Sequence, residues 1–389
     1  MATTITNAEN ALKTYYLDAI TSQLNDYVNP FFAAIEKSTN DVWGKEVKKL
    51  AISGVNGGVG AGNEDGELPK SNSNKYLQLT STLKNLYGVI EISDKAIRAS
   101  ENNAGAFVSL LNSEMEGLIK ASKLNFSRML FGDSTGQLTR ISILDDGKIS
   151  INKFNNLVEG MKVEIGTESG EIFTDIGART ILEIDKNAFN ITVSGPKIDN
   201  IDTYEDLYLY VQNSCNKELT GLEAIFNEEQ PIYGLERSVS SILKPYVNYL
   251  DKSITEEDIQ KVIDEIEINT GSSVNFIICS HQVKRILQKL FSQNRSNVDN
   301  VELAGGYKTM SYNGIPIVAD RFCNEGTMYF LNTKDFALHQ LCDWEWLSGD
   351  DGRILKQVPG KPVYTATLVK YAELMCSCPA GQGVLYNVR

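Results

Sequence analysis

The chain has 389 residues, 42% hydrophobic and 22% charged, with a formal net charge of −13 and an isoelectric point near 4.8. That length favours two or three domains, each able to bury a core, and the composition belongs with soluble globular proteins rather than disordered chains. The acidity argues against wrapping nucleic acid directly, because phosphate binding needs clustered Lys and Arg.

The first sixteen residues, MATTITNAENALKTYY, have neither the basic region nor the apolar core of a signal peptide, and no apolar run in the chain is long enough to span a bilayer. Six cysteines in a chain this long make no disulfide framework, so a reducing cytoplasm is the expected place of synthesis. Thr6 and Glu9 have the spacing of a capping box. Leu12, Tyr15, Tyr16, Ala19, Ile20, Leu24, Tyr27 and Val28 then give a helix one apolar face before Asn29-Pro30 ends it. Such a helix either packs on its own subunit or reaches a neighbouring one.

Residues 54–69 read GVNGGVGAGNEDGELP, too flexible and polar to build a core. Residues 76–92 return to β-type residues, with Leu77, Leu79 and Leu83 on one alternating face. The pattern predicts a long hairpin projecting from a body. After Ser93 and Asp94 the period changes to that of a helix, with Phe107, Leu111, Met115, Leu118, Ser122, Phe126 and Met129 on one stripe and Gly132 as its stop. A continuous helix over 104–131 is on the order of 40 Å long at ~1.5 Å per residue.

Short β runs follow at 148–154, 161–165, 179–184, 189–193 and 207–211, separated by turn residues. They describe either an inserted small all-β domain or a two-layer extension of the main sheet. From Tyr233 the chain looks α/β. Ser253 and Thr255 offer caps for a helix with Ile259, Val262, Ile263 and Ile266 inward, and 274–279 (VNFIIC) is a buried strand. Ser280 then caps a second helix with Val283, Ile286, Leu287, Leu290 and Phe291 inward. Strands are expected at 315–319, 328–331 and 337–341, and 363–375 returns to the sheet of an earlier domain.

Chemistry is hard to place on this frame. The glycines at 54, 57, 58, 60, 62 and 66 invite a phosphate loop, but no Gly-Lys-Ser/Thr follows, and Glu64, Asp65 and Glu67 repel phosphate. Cys279 and His281 sit at a strand-to-helix turn where nucleophiles are often found. Residues two apart there seldom meet, which favours a buried strand Cys and a first-turn His. His339 is the only other histidine. Cys376 and Cys378 lack the second ligand pair of a zinc site, and Cys323 and Cys342 do not supply it. Asp145-Asp146-Gly147 and Asp350-Asp351-Gly352 lack the alternating oxygens of a calcium loop and read as turns. Asp343-Trp344-Glu345-Trp346 is either partly buried at a domain edge or a contact between subunits.

The order of parts says more than any motif. Pro30-Phe31-Phe32, LQLTSTLKNLYGVIEISDKAIRAS at 77–100, RMLFGDSTG at 128–136, NKELTGLEAIF at 216–226, and YNGIPIVAD with GTMYFLNTKDFAL over 312–338 follow one another colinearly. Together they resemble the major capsid proteins of tailed double-stranded DNA bacteriophages. The resemblance implies an α+β fold shared with encapsulins and the herpesvirus capsid floor. Its parts are an N-terminal arm (1–45), an extended hairpin loop (46–93), and a peripheral domain with a long spine helix (94–142). An inserted small all-β domain (143–212), a return to the peripheral domain (213–232), a mainly axial domain (233–345) and C-terminal return strands (346–389) follow.

As function, the resemblance implies a non-enzymatic subunit that self-assembles into pentamers and hexamers of an icosahedral shell around DNA, which it encloses without sequence-specific binding. The implied partners are further copies of the chain, a scaffolding protein and a portal, with a decoration protein as an option; no membrane is involved. No scaffold-like coiled coil precedes the arm, which implies a separate scaffold or a removed leader. Some members of the family cross-link a hairpin Lys to an Asn of another subunit with help from a Glu. Lys70 and Lys75 lie in that region, but no Asn or Glu matches residue by residue, so no cross-link is expected. No catalytic, cofactor or metal residue is assigned. An encapsulin-like cargo shell and an α/β enzyme using Cys279 are the alternatives.

Overall fold

A computed structural model of the chain describes residues 29–95, 104–143, 148–198, 206–294, 300–302, 308–349, 352 and 354–389. The amphipathic helix expected before Asn29 lies outside the described residues, as do the Asp145-Asp146-Gly147 and Asp350-Asp351 turns.

The longest strand, Val363–Cys376, organises the body, and its second half is almost continuously buried. It pairs antiparallel with Lys84–Ser93 on one side and with Phe336–Trp346 on the other, and Glu36–Ser38 extends the sheet in parallel beyond Phe336–Trp346. Lys84–Ser93 alternates strictly, with Leu86, Gly88, Ile90 and Ile92 inward, the period-2 signature of a half-buried strand. Against that face lies the long helix Ala104–Met129, with Met115 and Ile119 packed on Ile90, Ile92, Leu368 and Trp346. Its 26 residues span ~39 Å at ~1.5 Å each. Gly88 sets how closely the helix lies, because a Cβ there would stand 3.0 Å from Leu118 and 3.1 Å from the Ser122 hydroxyl.

Sequence periodicity and structure part company at Leu83. The stretch read as one arm over 76–92 is two strands: Lys75–Thr82 pairs with Glu46–Gly54, and Lys84–Ser93 leaves the hairpin for the body sheet. Alternation runs through both strands, so pattern alone cannot say where the pairing partner changes. The Leu83 N–H marks the change by bonding the Lys45 carbonyl (2.9 Å).

Strands Gln137–Ile143, Ile149–Ile151, Lys162–Thr167, Arg179–Asp185, Asn190–Val193 and Leu207–Val211 close into a barrel. Ile141, Ile149, Val163, Ile165, Ile181, Ile191 and Leu209 form its own core. The insertion is therefore a separate barrel that begins at Gln137, and the two-layer extension of the main sheet is excluded.

The α/β unit is a seven-stranded sheet in the order Tyr246–Tyr249, Gly383–Tyr386, Met328–Leu331, Phe276–Cys279, Ile315–Ala319, Lys308–Tyr312, Asn300–Glu302. Helices Glu256–Thr270 and His281–Asn294 share one core on a single face of the sheet. Its other face, through Phe276, Ile278, Tyr329, Leu331 and Val384, merges with the body core. Two strands sit elsewhere than the sequence places them. Phe336–Trp346 belongs to the body sheet, and Gly383–Tyr386 returns from the C-terminus into the α/β sheet. Neither carries in its own residues a mark of the sheet it joins. Among the described residues no helix is long and apolar enough to cross a membrane.

Candidate functional site

The residues singled out for chemistry do not assemble into a reactive centre. Cys279 is fully buried in its strand, and burial pushes its thiol up to about 12, away from the thiolate a nucleophile needs. His281 is exposed on the first turn of the following helix. His339 is buried in the body sheet, where loss of solvent lowers its pKa. Cys376 is buried, and burial raises the thiols of both Cys376 and Cys378. Among the described residues no group of His, Cys, Asp and Glu is arranged to hold a metal.

The acidic aromatic cluster is an internal joint. The Trp346 ring is buried against the long helix, and Trp344 packs edge-on to Phe126 at 6.4 Å. Between them sequence reasoning missed Lys370, a fully buried ammonium that donates to Gln340 Oε1 (2.8 Å) and Asp343 Oδ1 (2.6 Å) and lies 5.4 Å from the Phe126 ring centre. Burial lowers the Lys370 pKa, with Asp343 opposing the shift. Burial also acts against the Asp343 charge, yet the Lys370 ammonium outweighs it and holds that carboxyl below its ordinary value. A lone Lys in the apolar run LVKYAELM was the available signal, since an unpaired buried charge is too costly to keep. Glu373 in the same run is buried too: Oε1 accepts from Thr220 N (2.8 Å) and Leu374 N (3.1 Å), and burial pushes the carboxyl up to about 7.

What the fold does present is a surface. In the hairpin of Glu46–Gly54 and Lys75–Thr82, Val47, Ala51 and Leu79 point into the body core. On the opposite face Leu50, Ile52 and Tyr76 are exposed to 66%, 56% and 57%, with Ile52 and Tyr76 directly paired across the strands. The root is held firmly. Thr80 N–H bonds the Tyr233 carbonyl (3.1 Å), and the Tyr233 hydroxyl accepts from Cys376 N (2.8 Å) and donates to the Leu374 carbonyl (3.3 Å), tying the arm to the central strand of the body.

Residues 55–74 carry no strand and expose Val55, Val59 and Leu68. Their two legs run so close that a Cβ on Gly58 would lie 3.1 Å from Asn72 N, and one on Gly60 would lie 3.1 Å from Pro69 Cγ. The glycines thus serve close approach of chain to chain, with Glu64, Asp65 and Glu67 exposed at the apex rather than any phosphate cradle. Lys70 is exposed on the returning leg and Lys75 opens the returning strand.

Comparison with known proteins finds a family over part of this chain and a shared fold over most of it. Residues 209–354 match the SU10 major capsid protein family. No curated protein sequence matches the chain. Among solved structures it is similar to the capsid protein of cyanophage A-1(L), with TM-score 0.58 and 11% identity over 93% of this chain and 95% of that one. The SrpI encapsulin of Synechococcus elongatus (TM-score 0.48, 10% identity, 93% and 89% covered) and a Mycobacterium phage Bobi protein (0.47, 7%, 93% and 91%) are more distant. Residues 209–354 thus match a major capsid protein family, and the fold shared with the cyanophage capsid protein runs nearly the length of the chain.

Proposed function

We propose that the chain assembles into pentamers and hexamers of an icosahedral shell enclosing double-stranded DNA, that it does so without enzymatic activity, and that assembly takes place in the bacterial host's cytoplasm. The exposed apolar face of the arm carries this reading. A two-stranded hairpin with Leu50, Ile52 and Tyr76 in water is marginal by itself, and covering those side chains on a neighbouring subunit stabilises both partners. A separate scaffolding protein and a portal are the expected assembly partners, and a decoration protein is compatible with the exposed barrel. The net charge of −13 suits a wall that holds its genome without adhering to it. Within this reading the domains run as arm, hairpin, spine-helix body, barrel, axial α/β unit and return strands.

Electron microscopy of the expressed protein, alone and with its scaffold, tests the proposal. Closed shells with five-fold and six-fold capsomers are expected; monomers persisting under every assembly condition would overturn it.

A further inference from the structure

The two helices of the α/β unit carry opposite charge. Glu256–Thr270 has six carboxylates and one lysine, whereas His281–Asn294 has Lys284, Arg285 and Lys289 and no carboxylate. They lie over different parts of the same sheet face. The acidic helix packs on Tyr246–Tyr249 and Gly383–Tyr386 at one edge, with Val262 and Ile266 closing on Gly383. The basic helix packs on Ile315–Ala319, toward the other edge. One side of the unit is therefore negative and the other positive.

Helix stability does not account for this distribution. In the first turn of the acidic helix, Glu256, Glu257 and Asp258 suit the helix dipole, and Asp258 completes a capping box with Thr255. Asp264, Glu265 and Glu267 lie in the C-terminal half, where the dipole disfavours negative charge, and the last turn holds no base. The mirror image holds next door: Lys284 and Arg285 lie within five residues of a helix start with no acid in its first turn. None of Lys284, Arg285 and Lys289 is ion-paired among the described residues. On the acidic helix Glu257, Lys261, Asp264 and Ile268 share one exposed stripe, and Ile268 is 78% exposed. A large exposed apolar side chain set among charges is the composition of a contact.

We propose that the acidic helix of one α/β unit docks against the basic helix of the next copy of this chain, so that the units close a ring head to tail. Two unlike surfaces on one subunit generate a cyclic contact whenever the rotation closes, and complementary charge sets its register and its rate. The inference rests on the shell reading and adds to it the residues that hold neighbouring units together.

Charge reversal is the test. One variant carries Asp264→Lys and Glu267→Lys, a second carries Arg285→Glu and Lys289→Glu, and a third carries all four; circular dichroism and Tm check that each subunit folds. Shell yield and assembly rate are followed by light scattering and microscopy beside the wild type. Each paired variant is expected to assemble about tenfold more slowly, the size expected when facing charges become alike. The fourfold variant, in which complementarity is restored with its sign inverted, is expected to return to within about twofold of wild type. A fourfold variant no better than the pairs overturns the proposal. So does normal assembly of the Arg285→Glu, Lys289→Glu variant, and shells of that variant that package less DNA would assign the basic helix to nucleic acid instead. A wild type that forms no shells overturns the shell reading, and this inference falls with it.

Discussion

Two β structures project from the body of this subunit, and they treat their edges and faces in opposite ways. The barrel closes on itself, pairs every strand on both sides and buries its own cluster of isoleucines and leucines. The arm hairpin stays open, is buried only on the inner face near its root, and holds Leu50, Ile52 and Tyr76 in water on the other. The barrel's stability is complete within one chain. That of the arm is completed only when another surface covers it, because an open apolar strand pair is otherwise an invitation to aggregate. One element is a finished module and the other is half of an interface.

The largest effect should come from breaking the unfinished half. Replacing Leu50, Ile52 and Tyr76 together by Asp, Asp and Ser removes three large apolar side chains from the expected contact, each worth about 1.5–3 kcal/mol of burial. Shell formation should fall by at least about a hundredfold, while the isolated subunit keeps its circular dichroism spectrum and loses no stability. Unfolding of the isolated subunit would show that the face is core, and the contrast with the barrel would vanish.

The barrel gives the converse. Leu209 is fully buried in its core, and Leu209→Ala should cost about 2–5 kcal/mol. Hydrogen exchange should show that loss in peptides of the barrel, with the body sheet and the α/β unit keeping their protection. A uniform loss across the chain would mean that the barrel does not stand alone.

How far sequence alone reached depended on whether a feature was local. The long helix, five of the six strands of the insertion and the two capped helices of the α/β unit were legible, because periodicity and caps are written in neighbouring residues, whereas Gln137–Ile143 was read as part of the spine-helix domain. Sheet membership was not. Lys84–Ser93 alternates as well in the body sheet as it would have in the arm, Phe336–Trp346 joins the body sheet rather than the α/β sheet, and Gly383–Tyr386, for which no strand was expected, completes the α/β sheet. The outward apolar face of the arm was hidden for a related reason. Leu50 and Ile52 become outward only once Lys49 pairs with Leu79 and Ala51 with Leu77, a register that joins residues on either side of a twenty-residue tip. Lys370 and Glu373 interrupt an apolar run visibly, but their partners Asp343 and Thr220 are distant in sequence.

Glu373 sharpens the comparison at the root of the arm, where one residue on, Leu374, receives the Tyr233 bond that ties arm to body. Its carboxyl is pushed up from 4.5 to about 7 by burial, against the pull of the Thr220 N–H. A folded value above the unfolded one means that the fold favours the protonated acid. The stabilisation is therefore full below pH 4.5 and is lost as the pH rises through 7. With 1.36 kcal/mol per pKa unit, the change is about 3 kcal/mol. Glu373→Gln keeps the acceptor for Thr220 and Leu374 and removes the titration, so the drop in stability between pH 5 and pH 8, read by denaturant unfolding, should be clearly smaller in the variant than in the wild type, the remainder belonging to buried Asp320, which is pushed up to about 6, and to Asp335, which burial also raises. The barrel, which holds no buried carboxyl of raised pKa among its described residues, should show the same exchange protection at both values.

The smallest effect on the subunit should come from the apex of the arm. Residues 57–65 make few backbone bonds and bury nothing, and closing the loop without them changes its entropy by less than about 0.5 kcal/mol. Deleting them should leave Tm within about 2 °C, while assembly slows because the arm is shorter and has lost Val59. A folded deletion that assembles at the wild-type rate would confine the docking surface to Leu50, Ile52 and Tyr76; a deletion that fails to fold would mean that the legs brought together at Gly58 and Gly60 hold the two strands in register from above.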